Sequence, residues 1–442
     1  MYSWIFNTNV TASFAMKQNI ETISHKYCYL VKKSFFYFLI IFSTCSYAQY
    51  NTEFINYDNV GRSVSVNLDF DLGSNGMNSA ILNKFIFGKH IDSVDKAQSS
   101  KFLRANNNFG INLNYDVSAF IKGTKKFDFL IGFKNQEVLN ATYTRDFFNL
   151  MFYGNKMYKG ATANLAYCNI SALRFQEIKF GAIMHSVDSV AKIGISLSFI
   201  KGEQLFYLKT NKNSSLFTSS DGSELIFNSN FNLALSDTNN KNLTTFNGIG
   251  ASADIFFETP YKSRLGRQNI LIVNANNIGF IHWLNNSVQY SSDSTLRFNG
   301  YTVQNIFDLK DSTLNQINRD SITRKLANAR KENFNVNIPT NLVIINKIIW
   351  SNNFRTSFGF RHIFNANYKP YVFIEPEYKY KQFTFALHTG YGGYVRLNVG
   401  ASVMWNSKYW FVRLGSNSLQ GYILPKISTG QGLFFSFAKK FK

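Results

Sequence analysis

The residues that could do chemistry show no catalytic spacing in this sequence. The chain has no Gly-x-Ser-x-Gly nucleophile elbow, no His-Glu-x-x-His zinc motif and no Walker-type phosphate loop. Its six histidines include no pair spaced by two or four residues, which would place two imidazoles on one face of a strand or helix. We therefore predict no catalytic residue, no metal site, no cofactor and no enzyme activity. A lipid-modifying hydrolase that uses His185 or His388 as its base stays an alternative, because a catalytic triad is recognised by geometry and not by sequence order.

A glycine pair is the nearest approach to a nucleotide-binding motif. Gly248-Ile249-Gly250-Ala251-Ser252-Ala253 lacks the third glycine of the dinucleotide fingerprint and lies in a segment of alternating polarity. This pattern predicts close packing of a strand backbone.

The N-terminal region predicts export. Lys32 and Lys33 precede an apolar run over residues 34–42, which is too short for a membrane anchor, and Ser46-Tyr47-Ala48 supplies small residues at positions −3 and −1. We predict a signal peptide with an N-terminal extension over residues 1–48, followed by one barrel domain over residues 49–442. Met1 and Met16 both stay open as the start.

Cysteine usage agrees with export. Cleavage after Ala48 removes Cys28 and Cys45, so Cys168 would be the single cysteine of the mature chain, and neither an intramolecular disulfide nor a cysteine metal site is expected. A lipoprotein anchored at Cys45 is the alternative, but Phe42-Ser43-Thr44 is a poor lipobox.

Composition restricts the fold class. The chain carries 47 Lys and Arg against 26 Asp and Glu, a net charge of +21, with 17% charged and 17% aromatic residues. Soluble domains contain about 25% charged residues, so a large β-rich or membrane protein fits this composition better. The basic residues form no clustered run, which argues against nucleic acid as a partner and favours outer-membrane lipid and the phosphates of lipopolysaccharide.

Apolar and polar residues alternate along most of the chain. Residues 64–72 keep a period of two, residues 111–119 and 127–133 predict one hairpin, and residues 395–405 and 410–414 predict another. Further strands are predicted near residues 147–153, 177–185, 191–201, 229–236, 248–257, 269–281, 341–350, 354–364, 371–380, 383–389 and 432–441.

The alternation favours an all-β fold, a transmembrane antiparallel β-barrel, over a soluble β-sandwich. Many alternating stretches approach the length of about 9–11 residues that a tilted strand needs to cross a bilayer, whereas strands of globular proteins average about five or six residues. Dividing the chain among strands and loops gives about 14 strands, with about 12 to 16 possible. Aromatic residues near strand ends predict interfacial girdles, at Phe152, Tyr153, Tyr207, Trp283, Trp350, Tyr378, Tyr380, Trp405, Tyr409 and Trp410.

The polar side of these strands supplies the candidate site. Its polar positions are mainly Asn, Ser and Thr, which suits a wet lumen. A location at the barrel rims is the alternative for the basic members. The candidate lumen-facing residues are Asp69, Asn112, Asn114, Asp116, Lys179, Lys192, Arg396, Asn398 and Arg413.

Long connections are predicted near residues 88–108, 209–224, 236–247 and 284–337. The last contains a loop insertion over residues 307–337. There, Ile322, Leu326 and Ala329 fall at i, i+4 and i+7 among basic residues, which predicts a short amphipathic helix. Such a helix would line the lumen, touch anionic lipid or pack on the barrel rim.

Several strings resemble one family of barrels. They are Phe147-Phe148-Asn149-Leu150-Met151-Phe152-Tyr153-Gly154-Asn155, residues 159–165, Asn277-Ile278-Gly279-Phe280-Ile281-His282-Trp283, Phe298-Asn299-Gly300-Tyr301 and Ile338-Pro339-Thr340-Asn341. In this order they resemble an uncharacterised family of outer-membrane barrels from Bacteroidota, which is distantly similar to the long-chain fatty acid transporters and to barrel subunits of type IX secretion. The resemblance covers most of residues 109–442 and transfers no functional residue. Residues 50–62 depart from it because they lack the proline of an Asn-Pro-Ala-like start.

Two functional hypotheses follow from the barrel. The first is an outer-membrane protein that passes or binds a hydrophobic or small polar solute, because a barrel of about 14 strands has room inside. The second is a structural or secretion-accessory barrel that docks an envelope protein partner through its long loops.

Overall fold

The computed structural model describes residues 62–123, 126–186, 191–237, 244, 246–264, 266–284, 286–298 and 328–441. The predicted signal peptide and most of the predicted loop insertion, including Ile322 and Leu326, therefore lie outside the described residues. The strands are β1 (Arg62–Ser74), β2 (Asn106–Lys122), β3 (Phe127–Thr144), β4 (Ala161–Asn164), β5 (Asn169–His185), β6 (Lys192–Thr210), β7 (Ser215–Thr218), β8 (Leu225–Leu235), β9 (Gly248–Lys262), β10 (Gln268–Trp283), β11 (Val288–Phe298), β12 (Asn328–Lys331), β13 (Phe334–Asn337), β14 (Thr340–Ile349), β15 (Phe354–Phe364), β16 (Lys369–Tyr380), β17 (Phe383–Gly393), β18 (Leu397–Asn406), β19 (Trp410–Ser416) and β20 (Gly430–Phe441). The helices are α1 (Ser79–Ile86), α2 (Ser93–Ser100), α3 (Arg145–Tyr153) and the single turn α4 (Gln420–Ile423), with a 3₁₀ turn at Asn155–Tyr158.

The strands close into an antiparallel barrel of 14 strands, as the alternation predicts. The ring runs through β1, β2, β3, β5, β6, β9, β10 and then β14 to β20 in order. The seam is the pairing of the first strand with the last, from Arg62 opposite Phe441 to Gly73 opposite Gly430. Closure leaves the ring without an open edge, which a bilayer would not tolerate.

The two ends of the barrel differ. At one end, brief turns join adjacent strands, such as the turns that follow β2, β16 and β18. We call it the short-turn end. At the opposite, long-loop end lie the four helices and the six strands outside the ring that the described residues form. Among the described residues, no helix is long and apolar enough to cross a membrane.

The outer face of the barrel is apolar. Phe129, Leu197 and Leu387 are 52%, 65% and 65% exposed, while the neighbouring inward residues Ser196 and His388 are 1% and 2% exposed. Successive side chains of a strand point to opposite faces, so the exposed apolar set and the buried polar set mark outside and inside. Such an apolar exterior fits hydrocarbon contact.

Only some of the aromatic residues that were predicted to form interfacial girdles are exposed on the barrel. Trp350, Tyr378, Tyr380 and Tyr409 are exposed there. The predictions for Trp283 and Phe152 are wrong. The Trp283 side chain is fully buried in an inward cluster with Phe175, Ile281 and Ile338, and Phe152 is buried between its own helix and the strands.

Several segments differ from their predicted secondary structure. Residues 288–298, predicted as part of the long connection over residues 284–337, form strand β11, which pairs with β8. Residues 147–153, predicted as a strand, lie in α3, because Thr144 Oγ1 accepts a hydrogen bond from the Phe147 amide at 3.0 Å and caps the helix. Phe148 and Phe152, one turn apart, are its buried side. Asn328–Lys331, at the end of the predicted helical insertion, is strand β12, which pairs with β11.

Helices α1 and α3 cover the outer face of β1, β2 and β3 at the long-loop end, and α2 contacts both helices. Ile81 and Leu82 of α1 and Phe148 of α3 pack with Leu72 and Phe109 from the strands in one buried cluster. Asn78 caps α1 by accepting a hydrogen bond from the Ile81 amide, and Asp92 caps α2 by accepting one from the Asp95 amide. The helices thus bury apolar side chains on this part of the outer wall.

Candidate functional site

A polar cavity lies inside the barrel. Its volume is about 30 Å³, enough for one or two water-sized groups. Its lining comes from β1, β2 and β3 and from the distant strands β10, β14 and β15, so it spans the lumen rather than indenting one wall. The lining residues are Asp69, Asn112, Asn114, Lys134, Gln136, Val138, Asn276, Asn277, Pro339, Asn341, Arg361, Ile363 and Tyr394.

A β-bulge in β10 supplies one side of the cavity. The register of β10 against β9 shifts between Ala275 and Ile278, and Asn277 has a φ of 60°. Asparagine tolerates this left-handed conformation better than most residues. The bulge lets both Asn276 and Asn277 line the cavity, where strict alternation would turn one of them outward.

The Asn277 side chain bridges to the opposite wall. Its Oδ1 accepts a hydrogen bond from Lys134 Nζ at 3.3 Å, and its Nδ2 donates to Gln136 Oε1 at 2.8 Å. Its backbone amide donates to Asp254 Oδ1 at 2.7 Å. β3 and β10 are therefore tied together through the lumen.

Asp254 is the centre of a buried charge pair beside the cavity. Its Oδ2 lies 2.5 Å from Lys179 Nζ and accepts a hydrogen bond from Ser196 Oγ at 2.9 Å. The side chains of Asp254 and Lys179 are 0% and 4% exposed. The attraction between the two charges and these hydrogen bonds offset the free-energy cost of burying both groups.

The cavity brings three predicted lumen-facing residues together. Asp69 Oδ2 accepts hydrogen bonds from Asn114 Nδ2 at 3.1 Å and Asn112 Nδ2 at 3.5 Å. On the neighbouring positions of the same two strands, Asn67 Nδ2 donates to Asp116 Oδ1 at 2.8 Å. Asp116 and Lys179 are buried on the inward face but do not line the cavity.

The remaining candidates lie elsewhere. Lys192 pairs with Glu258 at 3.3 Å near the short-turn end, and Asn398 accepts a hydrogen bond from Ser418 Oγ. Arg413 lies 3.4 Å from Glu375. Arg396 precedes β18 in the turn after β17, where its guanidinium donates to the Phe102 carbonyl oxygen at 2.9 Å.

His388 and His185, the two histidines considered as a catalytic base, lie in separate hydrogen-bonded groups. His388 Nε2 lies 2.6 Å from Tyr371 Oη, and His388 Nδ1 lies 3.1 Å from Glu375 Oε2, all facing inward. His185 Nε2 lies 2.6 Å from Asp128 Oδ2 at the short-turn end. The two histidines thus do not share a site. Within the described part of the chain, no group of three or more His, Cys, Asp or Glu side chains could hold a metal ion.

The half of the cavity that β3, β10, β14 and β15 supply was not predicted from the sequence. Arg361 sits on a polar position of a segment that was predicted as a strand, whereas Lys134 and Gln136 lie just beyond the predicted strand over residues 127–133. Asn274-Ala275-Asn276-Asn277, an asparagine cluster inside an apolar strand, was a readable sign of the bulge. Contacts across the lumen could not be predicted from the sequence, because they depend on closure of the ring.

The closed ring, its apolar exterior and its polar interior define a transmembrane β-barrel protein. The chain belongs to the family of unknown function DUF5723, whose model matches residues 59–411. No match to the chain is found among curated proteins.

Solved barrels share the general architecture at low identity. A deltaS2S3 mutant of the monoaromatic hydrocarbon channel TodX of Pseudomonas putida is 12% identical, with 90% of this chain and 96% of that chain covered and a TM-score of 0.47. The toluene transporter TbuX of Ralstonia pickettii is 12% identical, with 87% and 90% covered and a TM-score of 0.41. A FadL homologue of Pseudomonas aeruginosa is 9% identical, with 86% and 89% covered and a TM-score of 0.36. At these values we draw nothing about function from the likeness.

Proposed function

We propose that the protein is a non-enzymatic outer-membrane barrel that passes a small hydrophobic or polar solute through its lumen. The observation that carries this proposal is the cavity that spans the lumen between β1–β3 and β10, β14 and β15. A solute that moves along the barrel axis must pass the side chains that line this cavity. The cavity is therefore the narrow point at which solutes are selected.

The lumen offers both kinds of surface that such solutes need. The inward cluster that includes Phe256, Ile272, Tyr371, Phe373 and Tyr394 is apolar and aromatic. Amide side chains and three charged groups line the adjoining cavity, which Tyr394 also borders. A solute with an apolar body and polar substituents matches this combination.

The orientation follows from the two ends. Outer-membrane barrels have short turns on the periplasmic side and longer loops outside the cell. We assign the long-loop end, with α1 to α4, to the cell exterior of a Gram-negative bacterium. The basic residues at the rims would then meet the phosphates of lipopolysaccharide.

Solute flux tests the proposal. We expect vesicles that contain the full-length protein to swell in isosmotic small solutes faster than vesicles without it. Val138→Phe narrows the cavity and should lower the rate, whereas Val117→Phe, on the outer face at 45% exposure, should not. Swelling no faster than that of protein-free vesicles, or equal rates for the two variants, would refute the proposal.

A second candidate function is docking of an envelope protein at the long-loop end. It is favoured by the apolar side chains that the segment between β19 and β20 exposes, with Ile423, Leu424 and Ile427 at 67%, 50% and 66%. Replacement of these three residues by Ser should abolish co-purification of a stable envelope partner and leave solute flux unchanged. Absence of any partner from cross-linked envelopes would remove this candidate.

A further inference from the structure

The Asn276 amide is buried in the cavity without hydrogen-bond partners. Its side chain is 1% exposed, and neither Nδ2 nor Oδ1 has a partner among the described residues. Asn114 Oδ1, which belongs to a different wall of the same cavity, also lacks one within that part of the chain. An amide that has lost its hydrogen bonds to water on folding is unfavourable unless another group replaces them. These atoms can therefore form hydrogen bonds with a group that enters the cavity.

The free positions have a definite chemistry. They comprise amide oxygens, which accept hydrogen bonds, and an amide nitrogen, which donates them. A hydroxyl group does both, so one hydroxyl can bond to the donor and to an acceptor at once.

The charged groups at the cavity have neighbours of their own. Asp69 accepts from Asn114, Lys134 donates to Asn277, and Arg361 Nε donates to Asn341 Oδ1 at 2.9 Å. Their opposite signs also partly cancel. The contacts favour a neutral solute over an ion.

We infer that the cavity is a binding subsite for a small neutral solute that carries several hydroxyl groups. The subsite holds one or two hydroxyls at a time, because its volume is about 30 Å³. The Tyr394 ring and the Ile363 side chain offer apolar contact to the carbon atoms of the solute. This inference rests on the proposed function, since it names the class of solute that the barrel selects.

Two measurements on the full-length protein test the subsite. The first is equilibrium dialysis of radiolabelled erythritol against the protein in detergent. The second is vesicle swelling in erythritol and in glycine betaine, a solute that has no hydrogen-bond donor. We expect saturable erythritol binding and faster swelling in erythritol than in betaine. Asn276→Leu should weaken erythritol binding and lower its flux about tenfold, with betaine flux unchanged, because one or two hydrogen bonds are lost.

A neighbouring asparagine supplies the control. Asn274 lies on the inward face of β10, is 2% exposed and does not line the cavity, so Asn274→Leu should leave erythritol binding and both fluxes unchanged. Erythritol binding that does not saturate, or that Asn276→Leu does not weaken, would overturn the subsite. Equal loss of both fluxes in Asn276→Leu would also overturn it, because simple obstruction would then explain the change. Saturable binding without any flux would instead refute the proposed passage and retain the subsite.

Discussion

The buried pair of Asp254 and Lys179 predicts a large loss of stability on removal of one partner. Asp254→Asn keeps the shape of the side chain but leaves the Lys179 ammonium in the lumen without its carboxylate. We expect a decrease of about 3–5 kcal/mol in the free energy of unfolding, the usual effect of breaking a buried ion pair. Urea unfolding of the refolded protein in micelles measures it.

An exposed pair on the same chain is the control for Asp254. Arg297 and Glu224 lie 3.7 Å apart with side chains 69% and 31% exposed, so Glu224→Gln should cost less than about 1 kcal/mol. Equal unfolding midpoints for the two variants would mean that the lumen is hydrated at Asp254.

Asp92 predicts a local loss of stability at low pH. The Asp95 backbone amide and then the Lys84 ammonium, which lies 3.0 Å away, hold the pKa of Asp92 at about 2, below its usual range. Hydrogen bonding to Asp95 and Asp92 in turn raises the pKa of Lys84, so Lys84 stays protonated. Because the pKa of Asp92 is lowered on folding, its contribution is complete above about pH 4 and is lost as the pH falls through 2.

Hydrogen exchange at the amides of α2 checks the Asp92 prediction. We expect protection factors to fall between pH 5 and pH 2 in the natural chain. Asp92→Asn keeps an oxygen that can cap the helix and should show a flat profile. The same decline in both proteins would exclude Asp92 as its cause.

The residues of the cavity show which contacts a sequence can predict. Asp69, Asn112 and Asn114 lie on adjacent strands joined by one connection, and the period of two places them on one face. Asn276, Asn277 and Arg361 join them only because the ring closes and β10 bulges. The residues on one wall were therefore accessible to pattern analysis, and the complete cavity was not.

Gly250 of β9 predicts a strict requirement for glycine between two strands. A Cβ at this position would lie 2.2 Å from the Phe280 carbonyl oxygen, so Gly250→Ala must push β10 aside. We expect a cost of about 1–3 kcal/mol, as for other overpacked sites. The close packing predicted from Gly248 and Gly250 is confirmed by this distance and by the 2.7 Å from a Gly248 Cβ to Ile281 Cγ2.

Gly132 of β3 supplies the control for the Gly250→Ala prediction. A Cβ there would meet Ser118 Cβ at 3.4 Å, an ordinary contact, so Gly132→Ala should leave stability unchanged or raise it by about 0.5–1 kcal/mol. Thermal unfolding in micelles distinguishes the two alanine variants. Equal stability of both would contradict the packing of β9 against β10.

Strands were predictable in this chain where one face is wet and the other apolar. β15 has the predicted bounds at both ends, since alternation covers the whole strand. α1 was missed, although Asn78 caps it and Ile81, Leu82 and Phe85 share a face, because it covers only eight residues. Residues 147–153 were predicted as one more alternating strand, whereas the Thr144 cap starts helix α3 there.

The apolar exterior predicts a penalty for charge at the middle of the wall. Leu197 is 65% exposed between the equally outward residues Ile195 and Phe199. Leu197→Arg should make folding into phospholipid vesicles less favourable by about 2–4 kcal/mol, which is the cost of arginine near the bilayer midplane. Leu197→Phe, which stays apolar, should fold as the natural chain does. Equal folding of both variants would mean that lipid does not contact this face.

The number of strands was predictable because the length of chain that each membrane crossing needs is nearly constant. Each crossing uses a narrow range of residues, and the remainder falls into turns and loops, so about 14 strands follow from the length of the chain. Which strands leave the ring could not be foreseen. β8 was predicted as a strand and β11 lay in a predicted connection, yet the two pair with each other beyond the ring, where β6 extends past its contact with β9.

The seam has a consequence for biosynthesis. Val64 of β1 lies opposite Lys439 of β20, so the cylinder is sealed only when β20, which is made after the other strands of the ring, joins β1. No truncated intermediate can be complete, and until sealing occurs β1 offers hydrogen-bonding groups to any extended chain nearby. Joining partners so distant in sequence is also slow. Until the barrel is sealed, each chain must therefore be kept apart from its copies.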